Sequence, residues 1–68
     1  MTKIILIDDT TIHIEGYKNI ITMESEQVCI QCQKKRLMIY GEKLKIETFS
    51  NVELNVYGLI TKIEWMKI

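Results

Sequence analysis

Along most of the chain apolar and polar residues alternate with a period of two, the spacing of a strand that buries one face. Thr11-Ile12-His13-Ile14-Glu15 alternates cleanly and ends at Gly16. Asn19 to Glu24 is a second β-rich run, closed by the polar turn Glu24-Ser25-Glu26. Val28, Ile30 and Cys32 then alternate with Gln27, Cys29, Gln31 and Gln33, and Lys34-Lys35 reads as the two-residue hairpin turn that follows. Arg36 to Tyr40, Leu44 to Thr48, Val52 to Tyr57 and Ile60 to Met66 complete the set, with Ser50-Asn51 as the turn before the sixth run. Helical periodicity is almost absent. Seven short strands separated by turn signals at roughly 8–12 residues predict an all-β fold, a small antiparallel barrel or sandwich.

The glycines refine that expectation. Each closes a matching pentad: Ile12-His13-Ile14-Glu15-Gly16, Leu37-Met38-Ile39-Tyr40-Gly41 and Leu54-Asn55-Val56-Tyr57-Gly58. The parity of the inward face changes after them: Leu37 and Ile39 agree, whereas Leu44 and Ile46 are out of step, as are Ile63 and Trp65 with Leu54, Val56 and Ile60. A change of parity needs an extra residue, a β-bulge or tight bend, and glycine supplies the backbone freedom for it. Gly16, Gly41 and Gly58 are therefore the expected structural bends, with the sheet turning sharply at Gly41 and at or just after Gly58.

Length limits what such a sheet achieves alone. Sixty-eight residues make one domain, 1–68, and a chain of this size buries only about 60% of the surface its unfolded form exposes. Disulfides, a metal or a partner subunit usually supply the remaining stability. Apolar residues reach 47% and Pro is absent, so the chain is not a disordered peptide. A partner subunit is the expected supplement, and a homo-oligomer the expected state. The Ile4-Ile5-Leu6-Ile7 run ends at Asp8-Asp9, too short for a secretory core or a membrane span, which predicts a cytoplasmic protein with reduced cysteines.

Charge argues against nucleic acid as a partner. Nine basic and nine acidic residues cancel, whereas phosphate binding draws on a basic face. Lys34-Lys35-Arg36, the one dense basic cluster, falls where a turn is expected. A small nucleic-acid-binding barrel of the OB or Sm type is the alternative reading; it asks for stacking aromatics on a basic surface, and the chain has one Phe, one Trp and three Tyr.

Residues capable of chemistry read as structural. Cys29-Ile30-Gln31-Cys32 has the C-x-x-C spacing of zinc knuckles and thiol oxidoreductases, but residues three apart on a strand point to opposite faces. A closed zinc site needs four ligands, and there is a single His. Cys32 is expected inward and Cys29 outward, with neither a metal nor a redox role assigned. Asp8-Asp9 reads as a turn in which Asp bonds its own backbone. His13 alternates outward without a nucleophile or acid at motif spacing, a surface or interface His able to tune an interface between about pH 6 and 7. These assignments predict no enzyme, no cofactor and no small-molecule substrate.

The face opposite the core is unexpectedly apolar. With Ile20, Leu37, Ile39, Leu54, Val56 and Ile60 inward, Ile21, Met23, Met38, Tyr40, Tyr57 and Leu59 fall on outward parity. Met and Tyr are favoured at interfaces, and extended apolar patches are rare on soluble monomers. These six residues are the candidate interface, used by sheet-face packing or by addition of an edge strand to a partner.

The same string resembles the YabP/YqfC family of small sporulation proteins of endospore-forming bacteria. The features shared are the early Ile-x-Ile-x-Gly ending at Gly16, the apolar pair Ile20-Ile21, and Val28-x-Ile30-x-Cys32. They continue in Leu37-x-Ile39-x-Gly41-x-x-Leu44-x-Ile46 and Leu54-x-Val56-x-Gly58-x-Ile60-x-x-Ile63-x-Trp65. The order and spacing of the three glycines are the most specific part. The resemblance implies a protein of the mother cell, needed for development of the engulfed forespore or spore envelope and made alongside an integral membrane partner. It carries over no catalytic residue.

Overall fold

The computed structural model describes residues 1–67. The alternating runs become six strands: β1 (Lys3–Asp8), β2 (Thr11–Glu15), β3 (Asn19–Met23), β4 (Gln27–Gln31), β5 (Lys35–Thr48) and β6 (Glu53–Lys67). All pairings are antiparallel, in one sheet of order β1-β2-β6-β5-β4-β3. The sheet is not closed into a barrel: among the described residues β1 pairs only with β2 and β3 only with β4, so both remain edges.

The expected seven strands are thus corrected to six, for two reasons. The Ile4–Ile7 run, read only as too short for a leader, forms β1. Four other runs fuse into two long strands, β5 of 14 residues and β6 of 15, because a bend at glycine redirects a strand without ending it. The β4–β5 turn also moves back by one residue: Cys32 donates its N–H to the Lys35 carbonyl at 2.9 Å, so Gln33-Lys34 occupy the tip.

The corner lies where the β5–β6 register breaks. Tyr40 pairs with Lys62 but Gly41 with Ile60, leaving Thr61 unmatched; Glu42 pairs with Leu59 but Lys45 with Tyr57, setting Lys43 and Leu44 against Gly58. These shifts carry the parity changes of the sequence and bend both strands together. Gly41 has no room for a side chain, since a Cβ there would run into the Leu59 carbonyl oxygen. Gly58 has φ 135°, and its Cβ would stand 2.7 Å from the Lys43 oxygen. Lys43 completes the corner with φ 54°, a left-handed conformation. Gly16 follows β2 and donates its N–H to the Val52 carbonyl at 2.7 Å.

Beyond the corner the long strands change neighbours. The first part of β6 lies between β2 and the end of β5, while the first part of β5 lies between β4 and the end of β6. The inner faces of these two halves meet in one core. Ile12, Ile14, Leu54 and Val56 come from one half, Val28, Ile30, Leu37 and Ile39 from the other, and Leu44, Tyr17 and Cys32 complete the cluster. The first eight are fully buried, each contributing about 1.5–3 kcal/mol against exposure to water. Among the described residues no helix is long and apolar enough to cross a membrane.

Candidate interaction surface

The six candidate interface residues do not form one patch. Met38 and Tyr40 lie on the outer face of the first part of β5, whereas Tyr57 lies on the outer face of the first part of β6, in the other half. Because the halves face each other across the core, these outer faces point in opposite directions. Met38 is directly opposite Cys29 on one side and Glu64 on the other, and these crowded rows leave it only 7% exposed. Tyr40 is half-buried, with the Lys62 ammonium 5.6 Å from its ring centre. Leu59 is exposed at the corner.

β3 needs a correction of its own. The β3–β4 register slips between Ile20 and Thr22, so Ile21 bulges out of the ladder and Met23 pairs with Val28, a core residue. Met23 therefore faces the inner side, not the outer one, and is 64% exposed because the core opens there. Its cleft, about 370 Å³, is lined by Met23, Glu24, Ser25, Val28, Leu44, Lys45 and Ile46.

Apolar surface that parity counting missed lies elsewhere. Ile5, Leu6 and Ile7 of β1 are exposed, as are Ile63, Trp65 and Met66 near the end of β6. Leu6 lines a cleft of about 230 Å³ with Ile60 and Ile63, so β1 and β6 just beyond the corner flank one open side of the core. An unbroken apolar run signals such an edge only once it is recognised as a strand.

The outer face of β2 and β6 holds a polar network that no local motif announces. His13 pairs with Asn55 and Glu15 with Glu53. His13 Nδ1 is 2.6 Å from Asn55 Oδ1, and Nε2 is 2.9 Å from Glu15 Oε2 and 3.8 Å from Glu53 Oε2. Asn55 Nδ2 donates to the Tyr57 hydroxyl at 2.9 Å, which in turn donates to Glu47 at 3.3 Å. Both imidazole N–H groups find acceptors only in the charged ring, so Asn55 and then Glu15 hold the His13 pKa above its ordinary value. The imidazolium sits between two carboxylates that would otherwise repel across the strands. The three side chains bring ligand-type atoms within 4.8 Å of one another.

The two thiols are free and buried. Cys32 belongs to the core cluster and Cys29 does not, so the spacing that suggests a shared ligand splits the pair between the two faces. Burial pushes the Cys32 thiol pKa up, away from the reactive thiolate. At the first turn Asp8 Oδ1 accepts from the Thr10 N–H at 2.8 Å and its hydroxyl at 2.7 Å, holding the Asp8 carboxyl below its usual range.

Fold and surface together define a small all-β protein built on a single glycine-bent antiparallel sheet with open apolar edges. The chain belongs to the YabP family, whose family model matches residues 1–67. No curated protein and no solved structure matches it. Family membership points to a sporulation-related protein.

Proposed function

We propose that the chain is a non-enzymatic interaction protein of endospore formation, self-associating in the mother cell and working with an integral-membrane or spore-envelope partner. The observation that carries this reading is the open apolar side, where Leu6 of β1 and Ile63 of β6 stand exposed beside Ile60 around an incompletely covered core. Apolar groups and free strand edges on so small a chain favour association, because each lowers its free energy when a second surface covers it. Family membership supplies the sporulation context. Catalysis plays no part in this reading; the sheet acts by what it binds.

Solution mass between low and high micromolar concentration tests the association. The expected result is a species of at least twice the 8.0 kDa subunit, and a strict monomer throughout overturns it. A fluorescent fusion followed through sporulation tests the envelope. It is expected to gather at the forespore boundary; a signal that stays diffuse removes that part of the reading.

A further inference from the structure

We infer that two copies of the chain join edge to edge through β1, antiparallel across a two-fold axis at Ile5, so that their sheets become continuous. The inference rests on the self-association proposed above and names its surface and register. β1 pairs with β2 as Lys3↔Glu15, Ile4↔Ile14, Ile5↔His13 and Leu6↔Ile12, then skips Ile7 to place Asp8↔Thr11. The skipped residue decides the argument. Without it Asp8 would share the inner parity of Ile4 and Leu6; with it Asp8 joins Lys3 and Ile5 on the outer face. The free edge therefore reads Lys, Ile, Asp on its outer side and Ile, Leu on its inner side.

That edge is complementary to itself. Turned about Ile5, and with Ile7 bulging out of this ladder as it does out of the one with β2, it sets Lys3 opposite the second copy's Asp8, Ile5 opposite Ile5, and Ile4 opposite Leu6, with every pair on one face, as an antiparallel ladder requires. Among the described residues neither Lys3 nor Asp8 makes an ion pair within its own chain, and Asp8 bonds Thr10 through Oδ1 alone, leaving Oδ2 for a lysine. Ile4 packs against the core, whereas Leu6 faces the same way yet is 58% exposed. An Ile4 from the second copy beside it would cover it. The other edge strand, β3, runs Asn-Ile-Ile-Thr-Met without a charge to set a register. The contact is isologous and closes on itself, giving a dimer and not a fibre.

Charge reversal tests it on the full chain, by analytical ultracentrifugation at low ionic strength. Lys3→Glu and Asp8→Lys are each expected to raise the dimer dissociation constant about tenfold or more, since each places like charges opposite at both ends of the ladder. An equimolar mixture of the two is expected to dimerise within a few-fold of wild type, because both charge pairs are then restored between unlike chains. Should Asp8→Lys fail to fold, Asp8→Asn keeps the oxygen that accepts from Thr10; mixed with Lys3→Glu it is expected to bind more tightly than Lys3→Glu with itself. Cysteine placement gives a second reading. Ile5→Cys is expected to oxidise to a covalent dimer faster than Ile7→Cys, although Ile7 is the more exposed residue. An oligomeric wild type that is indifferent to Lys3→Glu, a mixture no tighter than its components, or faster coupling at residue 7 overturns the β1 pairing and leaves self-association standing. A monomeric wild type overturns both.

Discussion

His13 and Asn55 stand directly opposite each other on β2 and β6, and the 2.6 Å between Nδ1 and Oδ1 fixes which ring nitrogen points at the carboxylates. With Nδ1–H committed to Asn55, Nε2 faces Glu15 and Glu53 and is satisfied there only when protonated. This one cross-strand contact makes the outer face of that half sensitive to pH.

The sign of the effect follows from the raised pKa. An unfolded His titrates near 6.5, so the imidazolium's stabilisation is fully present below about that pH and is lost as pH rises through the higher folded value. Denaturant unfolding is expected to give a midpoint that falls between about pH 6 and pH 8, and His13→Gln is expected to flatten that slope. The NMR titration of the His13 ring protons should have its midpoint above about 6.5 and move down in Asn55→Leu and in Glu15→Gln. A midpoint at or below the ordinary value would refute the arrangement.

The corner makes opposite predictions for neighbouring residues. Gly41→Ala is expected to cost about 3 kcal/mol or more in chemical unfolding, since the new Cβ meets the Leu59 carbonyl oxygen, which is backbone and cannot swing aside. Lys43→Gly is expected to stabilise by roughly 0.5–1 kcal/mol: at φ 54° the lysine carries left-handed strain, and its relief exceeds the entropy a glycine adds to the unfolded chain. A Gly41→Ala protein as stable as wild type would mean that the two strands do not approach as described.

The parts of this fold that were legible in the sequence are those set by local alternation. β2 and β4 are clean period-two runs, and Leu37, Ile39, Leu54 and Val56 are inward by parity and fully buried. What escaped depends on register. Ile4 to Ile7 does not alternate because Ile5, on the outer face opposite His13, is apolar too and Ile7 bulges out of the ladder, so β1 has no period-two signature. Met23 is turned inward by the bulge at Ile21, which no glycine marks. A parity change at Gly41 looks the same in one dimension whether the chain turns back or merely bends, so β5 and β6 were each cut in two. His13 and Asn55 are 42 positions apart, and nothing near either residue identifies its partner.

The thiols yield a kinetic prediction. Cys29 and Cys32 are both buried, on opposite faces, so each reacts only when the sheet opens locally or globally. Modification by a disulfide reagent at neutral pH is expected to run at least about a hundredfold slower in native buffer than in denaturant. Mild oxidation is expected to form no Cys29–Cys32 disulfide without unfolding, because the side chains diverge across the strand. A fast native reaction, or a bridge formed with the fold intact, would contradict the placement of this pair.

Met38 and Leu59 separate parity from exposure. Both point outward, yet Met38 is enclosed between Cys29 and Glu64 whereas Leu59 stands free at the corner. Met38→Ala should behave as a core truncation and cost about 2–3 kcal/mol, and Met38→Glu should unfold the chain by burying an unpaired carboxylate. Leu59→Ser should stay within about 0.5 kcal/mol of wild type, as surface changes do. Tyr40→Glu should fold, since its side chain reaches the rim of the row beside Lys62, and for that reason it is the sound probe of this face in association measurements. If Met38→Glu folds normally, the row from Cys29 to Glu64 is open to solvent, and the outer face of β5 regains its claim as a docking surface.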